Sequence, residues 1–229
     1  MPQTALIVGA GAGLSASLAR LCARDGMGVA LAARDPAKLA DLCTETGATA
    51  YGCDVADAAA VDALFGQVVD RHGVPDLVVF NPSRRVRGPL IELDPAEVLA
   101  AVTATAFGAF LVGQAAAKHM LPRGSGSIQF TGATAGVKGM PQSASFAMGK
   151  FALRGLAQSM ARELAPQGLH IAHFVIDGGI TKTHAAKADD PEDRMLDPDA
   201  IAETYLAVHR QHRSAWAWEV ELRPWVERW

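Results

Sequence analysis

Cysteine is scarce in this chain. The 229 residues hold three, Cys22, Cys43 and Cys53, an odd count in no metal-ligand spacing. That excludes a disulfide framework and a cysteine-built metal centre, and fits small core residues of a reduced, cytoplasmic protein. Charge of one sign is lacking too: the net charge of −3 gives no reason to expect nucleic acid or an anionic membrane as a partner. No basic-then-apolar leader opens the chain, and no apolar run reaches the roughly 18 residues that a membrane span needs. Internal repeats, low-complexity runs and linkers are absent, so one domain over 1–229 is expected. What is present is ordinary globular material, half hydrophobic and a fifth charged, in a chain long enough for one sizeable α/β core.

The informative stretch is Leu6-Ile7-Val8-Gly9-Ala10-Gly11-Ala12-Gly13-Leu14-Ser15. It reads as an apolar strand, a glycine-rich turn and the start of a helix carrying Leu14, Leu18, Leu21 and Cys22 on one stripe. Glycines let the backbone approach a ligand closely, and free N–H groups at the helix start point at a phosphate. Dinucleotide binding is the expectation. A plain strand-to-helix turn, which also needs glycine, is the alternative.

Apolar strands and striped helices then alternate. Val29–Ala33, Ala48–Cys53 and Asp76–Asn81 read as further strands, and Val61, Leu64, Phe65, Val68 and Val69 mark the helix between the last two. Short connections between such units imply a doubly wound parallel sheet with helices on both faces. At the end of the second strand, Ala33 leaves empty the place where a carboxylate would hold the adenosine ribose of NAD. Arg34 follows, a cation suited to the 2′-phosphate of NADP. NADP(H) is therefore expected over NAD(H), unless Arg34 merely solvates a loop; the Asp35 side chain is expected to point elsewhere.

These residues resemble the short-chain dehydrogenase/reductases. Gly9-Ala10-Gly11-Ala12-Gly13-Leu14-Ser15 is similar to that family's TGxxxGxG turn, with Val8 for the threonine and Ser15 for the last glycine. Asp54-Val55 resembles the pair that contacts adenine, and Phe80-Asn81-Pro82-Ser83 stands where the family has NNAG. The resemblance covers essentially the whole chain. It implies a single Rossmann-type domain with about seven parallel strands, a nicotinamide cofactor and a small-molecule substrate. It also implies pairing of two long helices, one running through Thr105, Phe107 and Phe110 and one over 146–165, into a dimer or tetramer. The cofactor-binding set carried over is Gly9, Gly11, Gly13, Leu14, Arg34, Asp54, Val55, Asn81, Lys150, Gly178, Ile180 and Thr183. Ile180 would receive the carboxamide in a loop resembling PGxxxT, where Asp177 replaces the proline and Lys182 the threonine.

The family's catalytic set is a serine, a Tyr-x-x-x-Lys pair and an asparagine. Lys150 of Phe146-Ala147-Met148-Gly149-Lys150 fits the lysine. By the same resemblance Phe146 stands in the tyrosine place, Ala133 in the serine place and Thr105 in the asparagine place. An alkoxide made by hydride transfer needs a proton, and phenylalanine has none to give. Loss of a general acid commonly costs about 10²–10⁴ in rate, so ordinary carbonyl reduction is not expected. Ser143, on the face of Phe146 and Lys150 if the helix begins early enough, is a candidate donor. Thr131, Thr134 and Ser145 neighbour the site, and His184 titrates near neutrality. Each hydroxyl is equally a cap or turn partner. A substrate carrying its own proton, such as an iminium, or an activated alkene would need less help. A catalytically silent cofactor-binding protein, or a scaffold that has lost the cofactor, remains the alternative. Arg84, Arg85 and Arg87, after the fourth strand, could read an acidic substrate or cofactor phosphates, or pair with loop carboxylates. The tryptophans at 216, 218, 225 and 229 suggest a tail packed on a neighbouring subunit.

Overall fold

The strand order places a crevice where the sequence places its glycines. In the computed structural model, which describes residues 2–181, 190 and 192–227, seven parallel strands form one sheet in the order β3-β2-β1-β4-β5-β6-β7. They are Thr4–Val8 (β1), Gly28–Ala33 (β2), Thr49–Gly52 (β3), Leu77–Phe80 (β4), Gly126–Thr131 (β5), Leu169–Ile176 (β6) and Glu219–Leu222 (β7). The chain winds outward from β1 to β3, returns to β4 on the other side of β1, and winds outward again. β1 and β4 are paired neighbours, but the chain leaving β1 turns to one face of the sheet and the chain leaving β4 to the other, which opens the crevice in which such sheets bind ligands.

The central strands are almost wholly apolar because both faces are covered. On one face α3 (Ala58–His72), α5 (Gly108–Met120) and α6 (Ala144–Leu164) set Leu64, Phe65, Val112 and Leu153 against Leu6, Val78 and Phe130. On the other, α1 (Leu14–Arg24) and α7 (Pro198–His209) set Leu18, Ile201 and Tyr205 against Ile7, Leu31 and Phe174. Each fully buried Leu, Ile or Phe contributes about 1.5–3 kcal/mol. Short α2 (Ala40–Thr46) follows a single 3₁₀ turn, Pro36–Leu39, in which the Ala37 N–H is capped by Asp35. The expected single Rossmann-like α/β fold is the fold present.

One feature departs from the sequence reading. Helix α4 (Pro95–Val102) runs on into α5 through a π-helical segment, Thr103–Phe107. The resulting rod, Pro95–Arg123, is long and apolar enough by length and composition to cross a membrane, contrary to the expectation that no run would be. Its polar interruptions hide that length from a search for consecutive apolar residues. In the fold, α5 packs on α3, α6 and the sheet, while Leu99, Phe107 and Phe110 stay exposed. The tail tryptophans also find partners within the chain. Trp216 stacks on His170 with ring centroids 4.7 Å apart, and the Arg154 guanidinium lies 5.9 Å from the Trp218 ring. Both are held by their own chain, and β7 starts only at Glu219. Trp225 is exposed; Trp229 lies outside the described residues.

Candidate cofactor and substrate site

The glycine turn between β1 and α1 is pinned from below and bare above. Gly9 and Ala10 both donate their N–H to the Ala32 carbonyl at 2.9 Å. Gly9 has φ +81°, and a Cβ there would lie 2.7–2.8 Å from Pro82, so the fold itself requires this glycine. Gly11 and Gly13 differ: a Cβ on either would meet no protein atom within 4 Å. The first turn of α1 has no acidic residue, and Gly13 offers no side-chain cap. By contrast α3, α4 and α7 are capped by Asp57, Asp94 and Asp197. The opening N–H groups of α1, which have no intrahelical acceptor, are left for an anion.

Ser15 ties this turn to β4, a role the sequence reading missed. Its buried hydroxyl donates to the Gly9 carbonyl at 3.1 Å and accepts from Asn81 Nδ2 at 2.7 Å. Asn81 in turn donates its backbone N–H to the Val8 carbonyl. The turn after β1 and the exit of β4 are thus joined through backbone and side chains together.

A cleft of about 1570 Å³ opens along this edge. Gly9, Gly11, Arg34, Asp54, Val55 and Asn81 line it, bringing six of the expected cofactor residues to one surface. Gly13 and Leu14 underlie it rather than line it, and Leu14 is buried. Arg34 is exposed with no ion-pair partner among the described residues. Asp35 borders the cleft too, and its carboxylate caps Ala37 at 3.2 Å and meets Lys38 at 3.4 Å. Lys38 also borders the cleft. Asp54 spends one oxygen on the Ala56 N–H at 3.0 Å.

Lys150 lies outside that lining, buried between α6 and the exit of β5. Its Nζ donates to the Thr131 carbonyl at 2.6 Å, and burial pushes its pKa down to about 7. Phe146, one turn earlier, has its ring centroid 5.8 Å from Lys150 Nζ and 5.2 Å from the Arg85 guanidinium carbon. Ala133 follows β5 in an extended conformation, ahead of a 3₁₀ turn at Thr134–Gly136.

The hydroxyls near this cluster are engaged. α6 begins at Ala144, so Ser143 is its cap residue rather than part of its face. Ser143 Oγ accepts from Arg85 Nη2 at 2.9 Å. Ser145 accepts from the Val86 N–H at 3.1 Å and donates to the Val86 carbonyl at 2.7 Å. Thr105 lies in the π segment and accepts from the Arg84 N–H at 3.3 Å. Thr131 Oγ1 accepts from the buried Tyr205 hydroxyl at 2.9 Å. Thr134 donates to Asp177, which Arg223 meets at 3.3 Å. The loop after β6 is held from the C-terminal side as well: Gly178 sits at φ +154°, and a Cβ there would press on Pro224 at 2.8 Å. Ile180 pairs with Leu196 in an isolated parallel bridge. Lys182, Thr183 and His184 lie outside the described residues.

The short chain dehydrogenase family model matches residues 3–194. The chain belongs to this family. Its members bind a nicotinamide cofactor and act on small molecules. The fold superimposes on a short-chain dehydrogenase from Rhodopseudomonas palustris with a TM-score of 0.85 and 32% identity, covering 97% of this chain and 99% of the other. A metagenomic short-chain oxidoreductase in complex with NADP gives a TM-score of 0.84 and 28% identity, with 97% of both chains covered. Among sequences, the 3-oxoacyl-acyl-carrier-protein reductase MabA of Mycobacterium avium is 28% identical over 188 residues, 82% of this chain and 71% of that one.

Proposed function

We propose that this short-chain dehydrogenase binds NADP(H) and acts as an oxidoreductase on a substrate other than a simple ketone. The observation that carries the reading is the bare cradle at Gly11 and Gly13: protein packing does not call for their missing side chains, whereas a pyrophosphate against the α1 N-terminus does. Arg34, unpaired among the described residues beside the small Ala33, favours a 2′-phosphate over ribose hydroxyls alone. Asp54 and Val55 border the adenine end, and Lys150, Gly178, Ile180 and Thr183 serve the nicotinamide end. When bound, the cofactor supplies or takes a hydride.

The chain's own residues supply little acid. In this reading Phe146, Ala133 and Thr105 occupy the places of the family's tyrosine, serine and asparagine. Lys150 is retained, and its low pKa suits a group that holds a ribose hydroxyl rather than a permanent charge. Such a site favours substrates that need no early protonation, an imine carried as its iminium or an activated alkene. The engagement of Ser143, Ser145, Thr105 and Thr134 with other partners supports a second reading, a catalytically silent binder working as a sensor or oligomeric partner. The exposed apolar side chains Phe107 and Phe110 on the rod and Met148 and Phe151 on α6 suit self-association in either case.

Fluorescence titration with NADPH and NADH tests the cofactor, and NADPH oxidation with ketone, imine and enone panels separates the two readings. We expect NADPH to bind at least tenfold more tightly than NADH, and Arg34→Ala to erase that preference. Binding of neither nucleotide would overturn the proposal. Ala133→Ser with Phe146→Tyr is expected to confer ketone reduction that the unmodified protein lacks. Brisk ketone turnover by the unmodified protein would show the catalytic places to be wrongly assigned.

A further inference from the structure

The loop after β4 is gripped where no ordinary turn would need it. Three nearly fully buried hydroxyls and one strained residue hold it. Thr105 takes the Arg84 N–H, Ser145 brackets Val86 from both sides, and the Gln142 carbonyl accepts the Gly88 N–H at 3.2 Å. Gln142 itself sits at φ +58°, uncommon for a residue with a side chain. Ser143 then takes one N–H of the Arg85 side chain. The chain spends Thr105, Ser143 and Ser145 on fixing this loop and the one arginine that leans over Phe146.

The three arginines of the loop are not equivalent. Arg84 is neutralised by Glu97, and among the described residues no hydrogen bond, ion pair or ring contact ties Arg87 to the Phe146–Lys150 cluster. Arg85 is exposed, lies 5.2 Å from the half-buried Phe146 ring and pairs with no carboxylate among the described residues. A guanidinium carries five N–H donors in a fixed fork matched to a carboxylate; one is spent on Ser143. The hydrogen bond to Ser143 and the cation–π contact with Phe146 hold the fork in place before any ligand arrives, which lowers the ordering cost of binding.

We infer that Arg85 is the anion anchor of the substrate pocket, and that the substrate is a small molecule bearing a carboxylate. This rests on the reading of the Phe146–Lys150 region as the substrate side of a nucleotide site. The Phe146 ring offers an apolar floor, and Arg85 at its edge selects for charge.

Benzoate and its neutral isostere benzamide are suitable probes, read by saturation-transfer NMR on protein saturated with NADP+, which keeps the phosphate cradle filled. Benzoate is expected to bind at least tenfold more tightly than benzamide. Arg85→Gln is expected to remove that preference while benzamide binding and Tm stay unchanged, and Arg85→Lys to keep it at reduced strength. Equal binding of the two probes by the unmodified protein, or a charge preference that survives Arg85→Gln, would overturn the inference. If NADP+ does not bind, the functional reading fails on its own. The same probes on bare protein then still decide: Arg85-dependent preference for benzoate upholds the anchor, and its absence removes it.

Discussion

Ser15 Oγ stands 2.7 Å from Asn81 Nδ2 and 3.1 Å from the Gly9 carbonyl, so one buried hydroxyl ties the glycine turn after β1 to the exit of β4. Ser15→Ala leaves the Asn81 amide short of its acceptor in a half-buried place. An unsatisfied polar group of this kind costs about 1–3 kcal/mol. We expect that loss in urea denaturation, together with weaker NADPH binding, because the crevice edge is no longer held. Ser15→Thr, which keeps the hydroxyl, should retain more of the binding.

Gly9 and Gly11 should separate folding from binding. Gly9→Ala forces a Cβ against Pro82 at a positive φ and is expected to lower stability by about 1–3 kcal/mol. The Cβ added by Gly11→Ala meets no protein atom within 4 Å, so Tm should stay within a few degrees. NADPH affinity should fall at least tenfold. Thermal unfolding with a parallel fluorescence titration reads both; equal effects of the two variants on Tm would contradict the cradle.

Lys150 gives a pH signature. Burial takes its pKa from the ordinary 10.5 down to about 7. Between those values the unfolded chain holds a proton that the native protein has released, so stability from this group rises with pH across that window. Below pH 7 the native state carries a buried cation and the contribution is at its least favourable. The Tm of nucleotide-free protein, measured against Lys150→Met, should climb from pH 7 towards pH 10, and the two curves should run parallel below pH 6.

The acid limb should come from His173 and Glu219. Burial lowers the His173 pKa from 6.5 to about 4, against the pull of Glu219 beside it at 3.1 Å. The native state refuses a proton that the unfolded chain accepts, so stability present above pH 6.5 is lost as pH falls towards 4. Arg154, bonded to Glu219 at 2.6 and 2.7 Å, holds that carboxyl below its ordinary value, and its protonation adds to the loss at lower pH. His173→Asn should flatten the Tm profile between pH 6.5 and 4.

The sheet was legible because its strands are short, nearly pure apolar runs separated by striped helices. The glycine turn and Lys150 were legible because their spacing is local. What escaped depends on contacts between distant segments. Nothing near Ser15 in sequence announces Asn81, 66 residues away. Ser143 reads as a free donor until Arg85, 58 residues earlier, is seen to hold it. Arg84, Arg85 and Arg87 look alike in sequence; only Glu97 and Phe146 tell the first two apart. The partners of Trp216 and Trp218, His170 and Arg154, are equally remote in sequence.

The π segment at Thr103–Phe107 sets the phase of the rod. It inserts the equivalent of one residue into an otherwise continuous helix, and a residue corresponds to roughly 100° of rotation. Removing one residue there would swing all of α4 about its axis relative to α5, carrying Glu97 away from Arg84 and Thr105 out from under the arginine loop. The segment therefore behaves as an indel of fixed size: relatives that lack it should also lack a hydroxyl at the Thr105 position aimed at that loop, and must hold the loop by other means.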